Sequence, residues 1–143
     1  GDGEYQSVLS QLGITNGDGL GDSSLILPYL HDMPKALAAA DLAVFRSGAI
    51  GLAELAVRGI PSVLVPYPYA AEDHQTYNAR IFVQEGAAHM IVDQMLSAHD
   101  LIGEIEMFMA NRDLLSQMGE RALQLGKPNA AHDIAKLALS IAK

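Results

Sequence analysis

The sequence predicts a doubly wound α/β fold built on a parallel sheet, and two observations carry that expectation. The short strand-forming runs LAVF (residues 42–45) and VLV (63–65) are apolar without alternation, the pattern of strands covered by helices on both faces. Helix-length segments alternate with them, opened by a capping residue or proline and closed by glycine. With 143 residues, 50% of them apolar, the chain has material for one core, so a single domain over residues 1–143 is expected.

Taken in order, residues 4–12 read as a short helix, and residues 13–24 (GITNGDGLGDSS) as a loop too rich in glycine and aspartate to pack a core. NGDGLGD mimics the start of a calcium loop, but the twelfth position counted from Asn16 is Leu27, where a bidentate glutamate would be required, so no calcium is expected. Residues 25–29 read as a strand ending at PYLHDM. Asp32 is placed to cap a helix with Pro34 in its first turn, continued by residues 36–40. After the strand at 42–45, a helix beginning at Ser47 runs to Arg58 and stops at Gly59, with Pro61 preventing continuation. A strand at 62–65, a helix at 73–85 closed by Gly86, and a strand at 88–92 follow, and from Ser97 helices fill the chain to Lys143.

Charge and composition exclude several classes of function. Nine Lys and Arg against seventeen Asp and Glu give a net charge of -8, which repels nucleic acid and anionic lipid from most of the surface. Without cysteine there is no disulfide, thiolate nucleophile or thiolate metal site, and His31, His89, His99 and His132 show no ligand spacing. No apolar run approaches the roughly 18 residues of a spanning helix. The opening GDGEYQ also lacks the parts of a signal peptide, so a soluble, cytoplasmic chain is expected.

Residues 45–79 hold two strand-to-helix turns at one sheet edge, and open α/β sheets bind ligands at such an edge. Ser47, Gly51, Glu54 and Arg58 share one stripe of the predicted helix. In one reading the stripe faces water, and Glu54 and Arg58 form an exposed pair contributing roughly 0.3–0.5 kcal/mol. In the other, Gly51 leaves a notch against which a sugar lies, and Glu54 accepts two hydrogen bonds from a ribose diol. The free N–H groups around Ser47, Ala49 and Ile50, at the positive end of the helix dipole, favour a phosphate there. Arg46 stands beside the same point, either contacting that phosphate or pairing with a nearby acid. The spacing describes a nucleotide held across a helix start, without the G-x-G-x-x-G of ordinary dinucleotide folds.

The segments PYLHDMPKALAAADL, FRSGAIGLAEL, GIPSVLVPYPYA with DHQTYNA, and EGAAHMI resemble, in order, consecutive blocks of the MurG-type glycosyltransferases of bacterial cell-wall synthesis. These enzymes add N-acetylglucosamine to a lipid-linked muramyl pentapeptide. The resemblance covers nearly the whole chain and implies the Rossmann-like C-terminal half of a GT-B glycosyltransferase. It implies that Glu54 binds both ribose hydroxyls of UDP-N-acetylglucosamine, and that Leu30 reads the uracil edge through its backbone. Ala49, Ile50 and Gly51 would meet the donor phosphate and sugar, and His74 and Gln75 would form a polar pair with the glutamine on the N-acetylglucosamine hydroxyls. Asn78 is expected to be structural. A blander reading has Asp73 capping its helix while Gln75 and Asn78 face solvent.

No cofactor or metal is implied, and the D-x-D pattern that holds a metal in other glycosyltransferases is missing, which fits an inverting, metal-independent transfer. The family's acceptor domain is absent here. It would carry the lipid-linked acceptor site and the general base, so no catalytic residue is expected in this chain, and the chain alone would be inactive. The start also reads as truncated: the family's G-G-S loop and two strands are gone, leaving a sheet edge open to a partner chain. A non-catalytic nucleotide-sugar-binding subunit and a diacylglycerol glycosyltransferase remain alternatives. The resemblance places the full-length enzyme at the cytoplasmic face of the inner membrane.

Overall fold

A computed structural model describes residues 2–17 and 23–142. Residues 18–22 of the predicted glycine and aspartate loop, with most of the calcium-loop mimic, lie outside the described residues, as do Gly1 and Lys143. The chain divides into two compact units, Gly1–Ala36 and Leu37–Lys143.

The first unit holds α1 (Asp2–Leu12), matching the predicted helix, and the first residues of α2 (Met33–Ala39), whose remainder begins the second unit. Asp32 caps α2 as its position suggests: Oδ1 accepts from the Lys35 N–H at 3.4 Å, and Oδ2 lies 2.6 Å from Lys35 Nζ. The strand expected at 25–29 does not form. Leu25, Leu27 and Tyr29 are 62%, 46% and 69% exposed, and the segment's one backbone hydrogen bond among the described residues runs from Ile26 N–H to the Gly17 carbonyl at 3.2 Å. An extended segment becomes a strand when a neighbour pairs with its N–H and C=O groups, and apolar composition alone cannot supply that neighbour.

The second unit is a three-stranded parallel sheet in the order β1-β2-β3, formed by β1 (Ala43–Phe45), β2 (Ser62–Leu64) and β3 (Ala88–Met90). Val44 pairs with Val63, and Val63 with His89. Strand β2 explains the unalternating apolar run: Val63 and Leu64 point to opposite faces, yet both are 0% exposed, so helices cover the sheet on both sides there. Val63 and Val65 pack with Ile91 on Phe108 of α5 (Ala98–Ala110) and on Leu115 and Met118 of α6 (Arg112–Leu125). Helix α3 (Ala49–Arg58) buries Leu52, Leu55 and Ala56, and α4 (His74–Gln84) buries Ala79 and Phe82. Cover on both faces does not extend to β1, where Val44 is 42% exposed.

The helix ends expected at Gly59, Gly86 and Ser97 form there, and Asn111 adds a further cap. Gly59 takes φ 66° and Gly86 φ 68°, left-handed values that favour glycine. Ser97 opens α5 by accepting from the Asp100 N–H at 3.1 Å, and Asn111 opens α6 by accepting from the Leu114 N–H at 3.1 Å. Helix α3 starts two residues later than expected, at Ala49 with Gly48 as its cap, so Ser47 is not part of the helix and the predicted stripe loses its first member. The final helix, α7 (Ala130–Ile141), buries none of its residues.

Gly103 is a stability test that leaves the sheet edge untouched. It lies exposed within α5, and a Cβ there meets nothing within 4 Å. Gly103→Ala is expected to stabilise the chain by about 0.5–1 kcal/mol, mainly by restricting the unfolded chain, read as a raised urea midpoint at unchanged slope.

Candidate functional site

Because the strands are parallel, the residues that follow them, Arg46 after β1, Val65 to Tyr67 after β2 and Ile91 to Asp93 after β3, gather at one edge. The first turn of α3 leaves this edge open to a ligand. Gly48 makes no side-chain cap, and the first bond into the helix is Leu52 N–H to the Gly48 carbonyl at 3.0 Å. The N–H groups of Ala49, Ile50 and Gly51 therefore have no partner among the described residues, and Ala49 and Ile50 are exposed. Three unpaired donors at the positive end of a ten-residue helix suit an anion.

Beside this turn lies a groove of about 440 Å³, lined by Val44, Phe45, Arg46, Gly48, Gly51 and Gln75. Gly51 does not leave the empty notch the sequence suggests. A Cβ there would lie 3.0 Å from two ring carbons of Phe45, so part of the space belongs to that ring and the remainder borders the groove. One turn further along α3, Glu54 is half-buried. Among the described residues its carboxylate has no hydrogen bond or ion pair, and the pair with Arg58 that the i,i+4 spacing permits is not formed. A partly desolvated acid without a partner is ready to accept hydrogen bonds from a ligand.

The start of α4 is locked to the β1–α3 turn. The Ser47 hydroxyl, 0% exposed, donates to the Gln75 carbonyl at 2.8 Å, while Asn78 Nδ2 donates to the Ser47 carbonyl at 3.2 Å. A buried hydroxyl needs such a partner, so the side chain of Ser47 is committed to holding Gln75 in place. The Gln75 side chain is half fixed: Oε1 accepts from the Tyr67 N–H at 2.9 Å, leaving its amide NH₂ without a partner among the described residues. His74 is exposed, and its Nδ1 donates to the Ala71 carbonyl at 2.7 Å. Neither Gln75 nor Asn78 faces solvent freely, so the blander reading of this helix fails. Asp73 accepts from Thr76 Oγ1 at 2.6 Å instead of capping a backbone N–H.

The approach to α4 is backbone-strained. Glu72 and Asp73 take φ 53° and 52°, left-handed values that each cost a non-glycine residue about 1 kcal/mol or more. The Gln75, Asn78 and Thr76 hydrogen bonds fix the helix start that this turn delivers.

Arg46 forms an ion pair through one nitrogen of its guanidinium. Its partner is Asp93, and the same Nη1 also donates to the Val65 and Pro66 carbonyls at 3.2 Å each, with the guanidinium carbon 5.7 Å from the centre of the Tyr67 ring. Sequence reasoning missed both Asp93 and Tyr67. They lie 47 and 21 residues from Arg46, and no local spacing marks either one. Leu30 belongs to the first unit. It is half-buried in an irregular segment, and its backbone N–H and C=O have no hydrogen bond among the described residues.

The chain resembles known proteins in sequence and in fold. The model of the glycosyltransferase family 28 C-terminal domain matches residues 1–137. The UDP-N-acetylglucosamine--N-acetylmuramyl-(pentapeptide) pyrophosphoryl-undecaprenol N-acetylglucosamine transferase of Desulforamulus reducens is 46% identical over 78% of this chain and 30% of its own length. The transferase of the same name from Caldanaerobacter subterraneus subsp. tengcongensis is 39% identical over 99% of this chain and 38% of its own length. Among solved structures, the crystal structure of Acinetobacter baumannii MurG superposes with a TM-score of 0.73 at 35% identity, covering 80% of this chain and 33% of that one. The chain thus spans well under half the length of these relatives.

Proposed function

The chain belongs to the glycosyltransferase family 28 C-terminal domain family, and we propose that it is the UDP-N-acetylglucosamine-binding part of an N-acetylglucosaminyltransferase of peptidoglycan synthesis. The observation that carries this reading is Glu54: a half-buried carboxylate with no partner among the described residues, one turn beyond a groove-lining glycine, on a helix whose first N–H groups have none among them either. In this reading Glu54 accepts both ribose hydroxyls, and the uracil edge is read by backbone N–H and C=O groups. The N–H groups of Ala49, Ile50 and Gly51, with Arg46, receive the diphosphate. Gln75, held by Ser47 and Tyr67, offers its amide NH₂ to the N-acetylglucosamine hydroxyls, and His74 borders the same turn.

Residues 1–137, and by extension the chain to Lys143, act as a donor domain. The acceptor hydroxyl attacks the anomeric carbon from the face opposite the diphosphate, forming the new glycosidic bond as the bond to the β-phosphate oxygen breaks. The acceptor proton passes to a base outside this chain, and the charge left on UDP is stabilised by the α3 amino end without a metal. The relatives' names specify a lipid-linked muramyl acceptor, which this reading assigns to the remainder of a longer protein at the cytoplasmic membrane face. Among the described residues, no helix is long and apolar enough to cross a membrane.

Titration calorimetry of the chain with UDP-N-acetylglucosamine tests the proposal. Weak, saturable binding that UDP competes for and ADP does not is the expected result. Absence of binding at millimolar ligand, or equal competition by ADP, overturns it.

A further inference from the structure

We propose, building on that nucleotide reading, that Asp93 is a positioning residue for the donor diphosphate, acting through Arg46. Arg46 follows β1, the carbonyls it binds follow β2, and Asp93 follows β3, so one guanidinium ties together the carboxyl ends of all three strands. All three acceptors meet a single nitrogen, Nη1. A guanidinium carries five N–H groups, and those of Nη2 and Nε make no hydrogen bond among the described residues. The anchored nitrogen therefore fixes the plane of the group, while the rest of the fork remains free at the rim of the groove that Arg46 lines.

Asp93 supplies the charge-assisted member of this anchor. The two carbonyl bonds, at 3.2 Å, stand at the long end of the normal range, and the Arg46 side chain is 50% exposed. Without the carboxylate, the side chain regains rotamers in which the fork leaves the groove. Tyr67 limits that freedom on one side only, through its ring beneath the guanidinium. The acid stands 47 residues from Arg46 and does not line the groove itself, so its effect on a ligand has to pass through the arginine.

The test uses the chain as it stands, with UDP and uridine as probes followed by NMR titration and with melting temperature measured in parallel. Asp93→Ala and Asp93→Asn are expected to weaken UDP binding about tenfold and to change uridine binding, which involves no phosphate, by less than about twofold. Asp93→Glu restores UDP binding, and Asp93→Ala adds nothing in an Arg46→Ala background. Unchanged or tighter UDP binding overturns the inference, as do equal losses for UDP and uridine or an Asp93→Ala effect that persists without Arg46. If the unmodified chain binds neither uridine nor UDP, the nucleotide reading itself falls and this inference falls with it. If it binds both and only the Asp93 variants behave otherwise than stated, the positioning role alone is refuted.

Discussion

Glu54→Ala is expected to lower the affinity of the chain for UDP-N-acetylglucosamine by about 3 kcal/mol, roughly a hundredfold, while leaving its melting curve in place. A carboxylate accepting two hydroxyls forms two charge-assisted bonds of about 1.5–3 kcal/mol each, and partial exposure of Glu54 favours the lower end of that range. The melting curve holds because the carboxylate has no partner among the described residues, so truncation orphans nothing within the fold. Calorimetry on the variant, repeated with a 2′-deoxyuridine nucleotide, separates one hydroxyl of the diol from the rest of the ligand. The deoxy ligand, which keeps its 3′-hydroxyl, binds the unmodified chain about tenfold more weakly than the ribonucleotide and loses about tenfold, not a hundredfold, when Glu54 is removed. Unaltered affinity for the ribonucleotide refutes the assignment of Glu54.

The largest effect on stability is expected at Gly59. Its φ of 66° is strained for any residue with a side chain, and a Cβ there would lie 2.7 Å from Leu123 Cγ and 3.0 Å from the Gly119 carbonyl oxygen of α6. Gly119 reciprocates, since a Cβ on it would lie 2.6 Å from the Gly59 carbonyl oxygen. The end of α3 and the middle of α6 thus meet backbone to backbone, an approach that only paired glycines permit. Gly59→Ala adds left-handed strain of about 1 kcal/mol to overpacking of about 1–3 kcal/mol, for a total loss of about 2–4 kcal/mol. Urea unfolding measures it directly, with Gly103→Ala as the opposite-signed control. A loss under 1 kcal/mol would mean that α6 moves aside at little cost.

How far the site is legible from the sequence depends on the range of each interaction. Asp32, Ser97, Gly59 and Gly86 mark helix ends through their own side chains or dihedral freedom, and the structure uses each of them so. Glu54 stands out because a charge amid apolar helix residues needs an explanation. Arg46 shows that an acid is required but not which one, and Asp93 is 47 residues away. Ser47 misled for a related reason. Serine is a common helix start, yet here its hydroxyl binds the Gln75 carbonyl 28 residues on, and Gly48 takes the capping position.

By itself the sequence determined the order of the helices and of the three strands that pair, the ends of most helices, the motif blocks of the family, and the placement of one acid and one helix start on the same segment. These follow from dihedral preference and the period of apolar residues, properties carried within a few positions of chain. Only the tertiary structure decided that residues 25–29 form no strand among the described residues, that Ser47 leaves the groove to hold Gln75, that Phe45 takes part of the space beside Gly51, and that Arg46 spans three strand ends to reach Asp93. Each of those outcomes depends on which distant group comes to lie alongside, and a hydrogen bond or packed ring has no energy until its partner is in place.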